Sequence, residues 1–263
     1  MLVLLLGLLL PIADGWLPQP RAAAACWLLN TAAPGQDPGA GLPGEKSIPV
    51  VIFDMALSGA APAHYSVSVE SNGKAVYRCD DDANPATETP APEAYQEKLA
   101  ISSATAKRIF ELAQQSNYFR GEFDYRKGHV ANTGAKTLTY AGGPENSPGK
   151  PTATVRGQAT YNYSENPSIQ QLTTIFENIS NTVELGRRLR RLQRFDKLGL
   201  DAELKSAEDQ SREHRLLEMQ LIFPTLQNLA DDANLLHLVR QRAQQLLKQA
   251  EAEQSQSPVA SSQ

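Results

Sequence analysis

The densest chemistry in this chain is a run of cations, Arg187, Arg188, Arg190, Arg191, Arg194 and Lys197. At helical spacing these side chains form a stripe apart from Leu185, Leu189 and Leu192. Such a stripe could meet an acidic partner, anionic lipid or nucleic acid. Residues 181–253 carry twelve basic and twelve acidic side chains. Glu203, Glu208, Asp209 and Glu213 on the next helix are therefore expected to neutralise much of the run across a helical hairpin. The whole chain has 263 residues and a net charge of -4, so no global positive field favours nucleic acid.

Other chemistry-bearing patterns are incomplete. Asp80-x-Asp82-x-Asn84 copies the first oxygen ligands of a calcium loop, but Pro85 stands where that loop needs glycine and Ala91 where it needs a bidentate glutamate. In Gly143–Lys150 five residues separate the glycines where a phosphate loop has four, and Pro151 replaces the magnesium-binding hydroxyl. Ser71-x-x-Lys74 matches a serine/lysine nucleophile motif only formally, because a turn at Asn72-Gly73 separates the two. His64, His129, His214 and His237 lack metal-ligand spacing. His129 follows Asp124, Tyr125, Arg126 and Lys127, so a hydrolase-like site in the 123–129 loop is the alternative to a non-enzymatic reading. No cofactor motif is complete, and no catalytic residue or metal ligand is assigned.

Two cysteines, Cys26 and Cys79, gain interest from the N-terminus. Leu2–Ile12 is apolar but falls short of the roughly 20 residues of a membrane span. With small residues at Ala22–Ala25 it reads as an export signal over residues 1–25. No Lys or Arg precedes the apolar run, a departure that a translation start upstream of Met1 would remove. In an oxidising compartment Cys26 and Cys79 could pair, closing a loop of about 50 residues and adding about 3–4 kcal/mol. Ala23-Ala24-Ala25-Cys26 also looks like a lipobox, although Ala23 stands where that pattern wants Leu. Disulfide, lipid anchor and free thiols remain three open readings.

The elements that must position these groups follow from periodicity. Residues 26–47 are rich in Pro, Gly and Ala and read as a linker. Ile48–Met55 is a short apolar run expected to be a buried strand. His64–Cys79 alternates about Asn72-Gly73 and predicts a hairpin with a two-residue turn; Tyr65, Val67 and Val69 face the core with Ala75 and Tyr77. Asp80–Pro92 reads as a loop. Ser102 or Ser103 caps a helix to about Ser116 with Ala106, Ile109, Phe110 and Ala113 on one stripe, closed by Tyr118 and Phe119. Lys136–Ala141 and Thr152–Tyr163 form a second hairpin.

After Pro167 the chain reads as helix, with Ile169, Leu172, Phe176, Ile179 and Val183 covering the sheet and Gly186 marking a bend. Asp201 is expected to cap a second helix to about Ile222, and Pro224 to start a short third. The last helix begins near Asp231-Asp232 with Leu236, Val239, Ala243, Leu246 and Ala250 on its inner face. Residues 254–263 read as a disordered tail.

Tyr118-Phe119, Asn132-Thr133-Gly134, Asn166-Pro167, Gly73-x-x-x-Tyr77 and Arg240-Gln241-Arg242-Ala243-x-x-Leu246-Leu247 occur in an order that resembles a group of uncharacterised secreted bacterial proteins with a small β-β-α-β-β domain. The resemblance covers about Ala63–Ala250 and implies fold and export, with no activity or site.

The resulting expectation is an α+β fold: a small antiparallel sheet covered by helices over 48–180, then a C-terminal helical hairpin or bundle over 181–253. The expected function is an exported, envelope-associated interaction module, periplasmic or secreted. It would bind a protein partner through the basic helix or a sheet edge. Nucleic acid is not expected, and membrane contact is expected only through lipidation of Cys26, as in a tethered structural envelope protein.

Overall fold

In a computed structural model of the chain, residues 48–80, 95–126, 128, 130–144 and 154–256 are described. Six strands, β1 (Val50–Ala56), β2 (His64–Glu70), β3 (Lys74–Cys79), β4 (Tyr95–Ala100), β5 (Ala135–Pro144) and β6 (Thr154–Tyr161), form one antiparallel sheet in the order β4-β3-β2-β1-β5-β6. Helices α1 (Ser103–Gln115) and α2 (Pro167–Phe195) cover one face, and α3 (Gly199–Arg212), α4 (Phe223–Asp231) and α5 (His237–Gln256) follow. The expected α+β class and helical C-terminus are both present.

Alternation decides the register of the first hairpin. Val67 pairs with Tyr77 and Val69 with Ala75, so Ser71-Asn72-Gly73 is a three-residue loop, not the expected two-residue turn. Gly73 has φ +84°, donates to the Glu70 carbonyl at 2.9 Å and leaves Asn72 outside the positive-φ region. A two-residue turn would set Val69 against Val76 and put one strand out of phase with the core, which is the larger cost.

Strand β4 is an addition to the expected elements. Its exposed Gln96 and Lys98 alternate with Tyr95, Glu97 and Leu99, and only Leu99 is buried. A charged edge strand has little apolar signal to read.

Ser102 caps α1 by accepting from the Thr105 amide, and its own amide donates to Glu218 at 2.8 Å. Asn166 caps α2 through the Ser168 and Ile169 amides, with Pro167 in the first turn. Two cores share α2. Ile169, Leu172, Phe176, Ile179 and Val183 pack on the sheet with α1, whereas Leu185 and Leu189 pack with α3, α4 and α5.

Gly186 does not bend α2, which runs unbroken through it. A Cβ there would lie 2.7 Å from Ile222 Cγ2, so the glycine admits the 3-10 turn Met219–Ile222 close to the helix. The second helix stops at Arg212, short of Ile222. The following chain bonds α2 instead, with Asn178 Nδ2 donating to the His214 carbonyl at 2.9 Å and the Leu217 amide donating to Thr182 Oγ1 at 3.1 Å. Asp201 is not a cap; Asp196 Oδ1 accepts the Gly199 amide, and Asp201 binds Arg242 at 2.8 Å. The last helix starts at His237, and Leu236 is 58% exposed, so Leu235 replaces it in the core. That helix continues to Gln256; the remainder of the expected tail lies outside the described residues.

Candidate functional site

The second half of α2 crosses the sheet at β3 and β4. Tyr77, fully buried on β3, donates its hydroxyl to Glu184 at 2.6 Å and fixes the helix there. Glu184 also accepts from Arg187 at 2.8 Å. The Arg187 guanidinium lies 4.2 Å above the Tyr95 ring and donates to Cys79 Sγ at 2.9 Å. One turn on, Arg190 donates to the Tyr95 hydroxyl at 2.9 Å and to Glu97 at 3.2 Å, and that hydroxyl donates to Glu97. Burial and the Glu97 carboxylate push the Tyr95 hydroxyl up to about 12. It therefore remains a neutral donor at neutral pH.

These contacts leave a groove of about 570 Å³ lined by Ala61, Tyr95, Glu184, Arg187, Arg188, Arg190, Arg191, Arg194 and Phe195. Arg188 pairs with Glu203 at 2.7 Å, as the helical-hairpin expectation required. The other expected neutralisers are engaged elsewhere: Glu208 with Arg242, Asp209 with Arg212 and Glu213 with Arg215. Arg191 and Arg194 are exposed and make no ion pair among the described residues. Phe195, 83% exposed, stands beside them. Arg187, Arg191 and Arg194 follow at i, i+4 and i+7, one face of α2 spanning about 10 Å. Five members of the cationic run thus line one groove; Lys197 lies beyond it, in the α2–α3 corner.

Cys79 is buried, 2% exposed, and makes no disulfide among the described residues; Cys26 lies outside them. Burial and the nearby Glu184 carboxylate push the Cys79 thiol up to about 11, which opposes reactivity.

The 123–129 loop borders a small cleft of about 250 Å³. Asp124 Oδ1 accepts the Asn162 amide at 2.9 Å, and Arg126 pairs with Glu122 at 2.8 Å, so the charges described there serve loop structure. His129 and Lys127 lie outside the described residues, as do Asp82, Asn84 and the 145–151 part of the glycine-containing loop. Ser71 is the first residue of the hairpin loop and Lys74 the first of β3, so the two do not share a helical face. Among the described residues no group of three His, Cys, Asp or Glu side chains could hold a metal ion, and no helix is long and apolar enough to cross a membrane.

Long-range pairing creates one polar cavity that sequence spacing does not reveal. Lys136, 4% exposed, donates to the Thr133 carbonyl at 2.9 Å, Thr133 Oγ1 at 3.0 Å and the Asn162 carbonyl at 3.2 Å. Burial lowers its ammonium group below the ordinary lysine value and raises the Glu177 carboxyl across the cavity above the ordinary carboxyl value. With its donors committed to neighbouring oxygens, Lys136 joins the ends of β5 and β6. No protein-family model matches the chain, and no curated protein matches it.

Proposed function

We propose that this protein is an exported, non-enzymatic interaction module of the cell envelope that binds an acidic segment of a protein partner along the arginine groove. The observation that carries this reading is the pair Arg191 and Arg194, exposed on one face of α2 without ion pairs among the described residues. Arg187 and Arg190 are held against β4 and already paired with Glu184 and Glu97, so they form a fixed floor beside the two exposed arginines, which limits the ordering cost of binding. Phe195 offers an apolar contact at the end of the stripe. Carboxylates spaced to follow Arg187, Arg191 and Arg194, ending beside an apolar residue, fit this arrangement. Planar guanidinium groups favour carboxylates through paired hydrogen bonds. Export is supported by Leu2–Ile12 and the small residues before Cys26.

Titration of the isotopically labelled chain with a ten-residue peptide alternating Glu and Leu tests the reading. Chemical-shift changes should cluster at Arg187, Arg191, Arg194 and Phe195 and diminish between low and high salt. Shifts confined to other surfaces, or no saturable response at low salt, would contradict it.

A further inference from the structure

Most of the exposed apolar bulk of this protein sits in one place. Seven large hydrophobic side chains are exposed among the described residues, and four of them, Phe195, Leu198, Leu236 and Leu238, belong to the α2–α3 and α4–α5 corners. Leu198 is 80% exposed, beside Phe195 at 83%, and Leu236 and Leu238 are 58% and 47% exposed. The helical core is filled by their neighbours Leu200, Leu235 and Val239, so it has no need of them.

The two corners lie side by side. Gln193, just before the first, donates to Asp232 Oδ2 at 3.3 Å at the start of the second. Arg242, in the second turn of α5, binds Asp201 in the first turn of α3 at 2.8 Å. Residues 194–200 and 233–241 therefore run between two shared fastenings. The Asn234 amide, Gln193 and the charge of Lys197 hold the Asp232 carboxyl below the usual carboxylate range, which places Lys197 near the second corner.

An exposed apolar patch of this kind marks an interaction site, and its charge and shape select the partner. Arg191, Arg194 and Lys197 are exposed beside the leucines and make no ion pair among the described residues. Such long cationic side chains can follow an apolar surface and leave their charges at its polar boundary. The acids of the corners serve corner structure. Asp196 Oδ1 accepts the Gly199 amide at 3.1 Å, Asp231 accepts the Gln227 side chain at 2.8 Å, and Asp232 accepts the Asn234 amide at 2.9 Å. Leu198 and Leu236, so exposed, touch little of their own chain and stand on turns between helices. A protein partner or a second copy would need a concave surface matched to two projecting corners. Acyl chains close around any shape, and anionic head groups answer the cations.

We propose that the paired α2–α3 and α4–α5 corners seat this protein on an anionic lipid surface, with Leu198, Leu236 and Leu238 entering the acyl boundary while Arg194 and Lys197 meet lipid phosphates. This contact is separate from any lipid on Cys26. It adjoins the arginine groove at Arg194 and Phe195, whereas Lys197 and the three leucines lie outside that groove.

Hydrogen exchange of the full chain, read by mass spectrometry with and without vesicles of phosphatidylcholine and phosphatidylglycerol in a ratio of about 3:1, tests the proposal. Exchange should slow at residues 194–199 and 233–239, saturably with lipid, and far less with pure phosphatidylcholine. In Leu198→Ser/Leu236→Ser the lipid concentration that gives half of this protection should rise at least about tenfold. Circular dichroism verifies that the variant is folded. Its affinity for the Glu-Leu decamer should be unchanged, which separates this surface from the acidic-partner groove. Protection confined to residues 2–12, equal protection by pure phosphatidylcholine, or indifference of the folded variant would overturn the proposal. Corner protection that rises with protein concentration in the absence of lipid would assign the patch to a second copy of the chain and overturn it as well.

Discussion

Gly157→Ala isolates the contact between β6 and the left-handed turn Asn117–Phe119. In an ordinary strand, replacing Gly by Ala stabilises by about 0.5–1 kcal/mol through reduced backbone entropy. Here the new methyl would lie 1.9 Å from the Tyr118 carbonyl oxygen and 3.1 Å from its carbon. The obstruction is backbone, so a rotamer change cannot relieve it. An ordinary carbon–oxygen separation requires a displacement of more than about 1 Å. The turn must lift from β6 or the strand must bow, either of which disturbs the fully buried Phe119. Overpacking costs about 1–3 kcal/mol and partial loss of an aromatic core contact adds to it. The expected net destabilisation is about 2–4 kcal/mol, read as a lower urea midpoint at unchanged slope. A neutral or stabilised variant would refute the close approach of the turn to β6.

Three further perturbations address the cores and the titrating groups. Gly186→Ala gains about 1 kcal/mol of helix propensity but loses about 1–3 kcal/mol to the clash with Ile222 Cγ2, and adding Ile222→Leu should restore much of that loss in a double-mutant urea cycle. The Cys79 thiol should react with an aromatic disulfide reagent at least tenfold more slowly in the folded chain than in urea, because it is 2% exposed and raised to about 11; equal rates would contradict its burial beneath Arg187. Burial raises the Glu177 carboxyl above its unfolded value, so its contribution to stability is fully present below the unfolded pKa and is lost as pH rises through the folded one. Glu177→Gln should therefore gain on the wild type in urea midpoint as pH increases from about 4 to 7, and a constant difference would count against the buried carboxyl.

Alternating and helical apolar patterns made much of the fold legible. The faces of β2 and β3, the Ser102 cap, Pro167 in the first turn of α2 and the inner stripe of that helix are local properties. The turn type was less legible, because Asn72-Gly73 suits two loop lengths and only the burial of Val69 against Ala75 selects one. Strand β4 has too few buried apolar residues to announce itself, yet it supplies Tyr95 to the arginine groove and Glu97 to Arg190. Gly186 looked like a hinge because its close neighbour, Ile222, is distant in sequence. The cationic run was visible, whereas the division between held and unpaired arginines depends on tertiary partners. The contact of Phe110 and Tyr118 with Tyr140 was hidden for the same reason, because the three belong to a helix, a turn and a strand.

Charge reversal in the arginine groove is the most direct test. The affinity of the Glu-Leu decamer should be measured at low salt for the full chain and for the Arg191→Glu/Arg194→Glu variant, with equal urea midpoints establishing that both are folded. Two exposed ion pairs, each worth up to about 1 kcal/mol, are replaced by like-charge contacts, so affinity should fall by at least about tenfold. Equal affinity in the folded variant would contradict the assignment of this groove to an acidic partner.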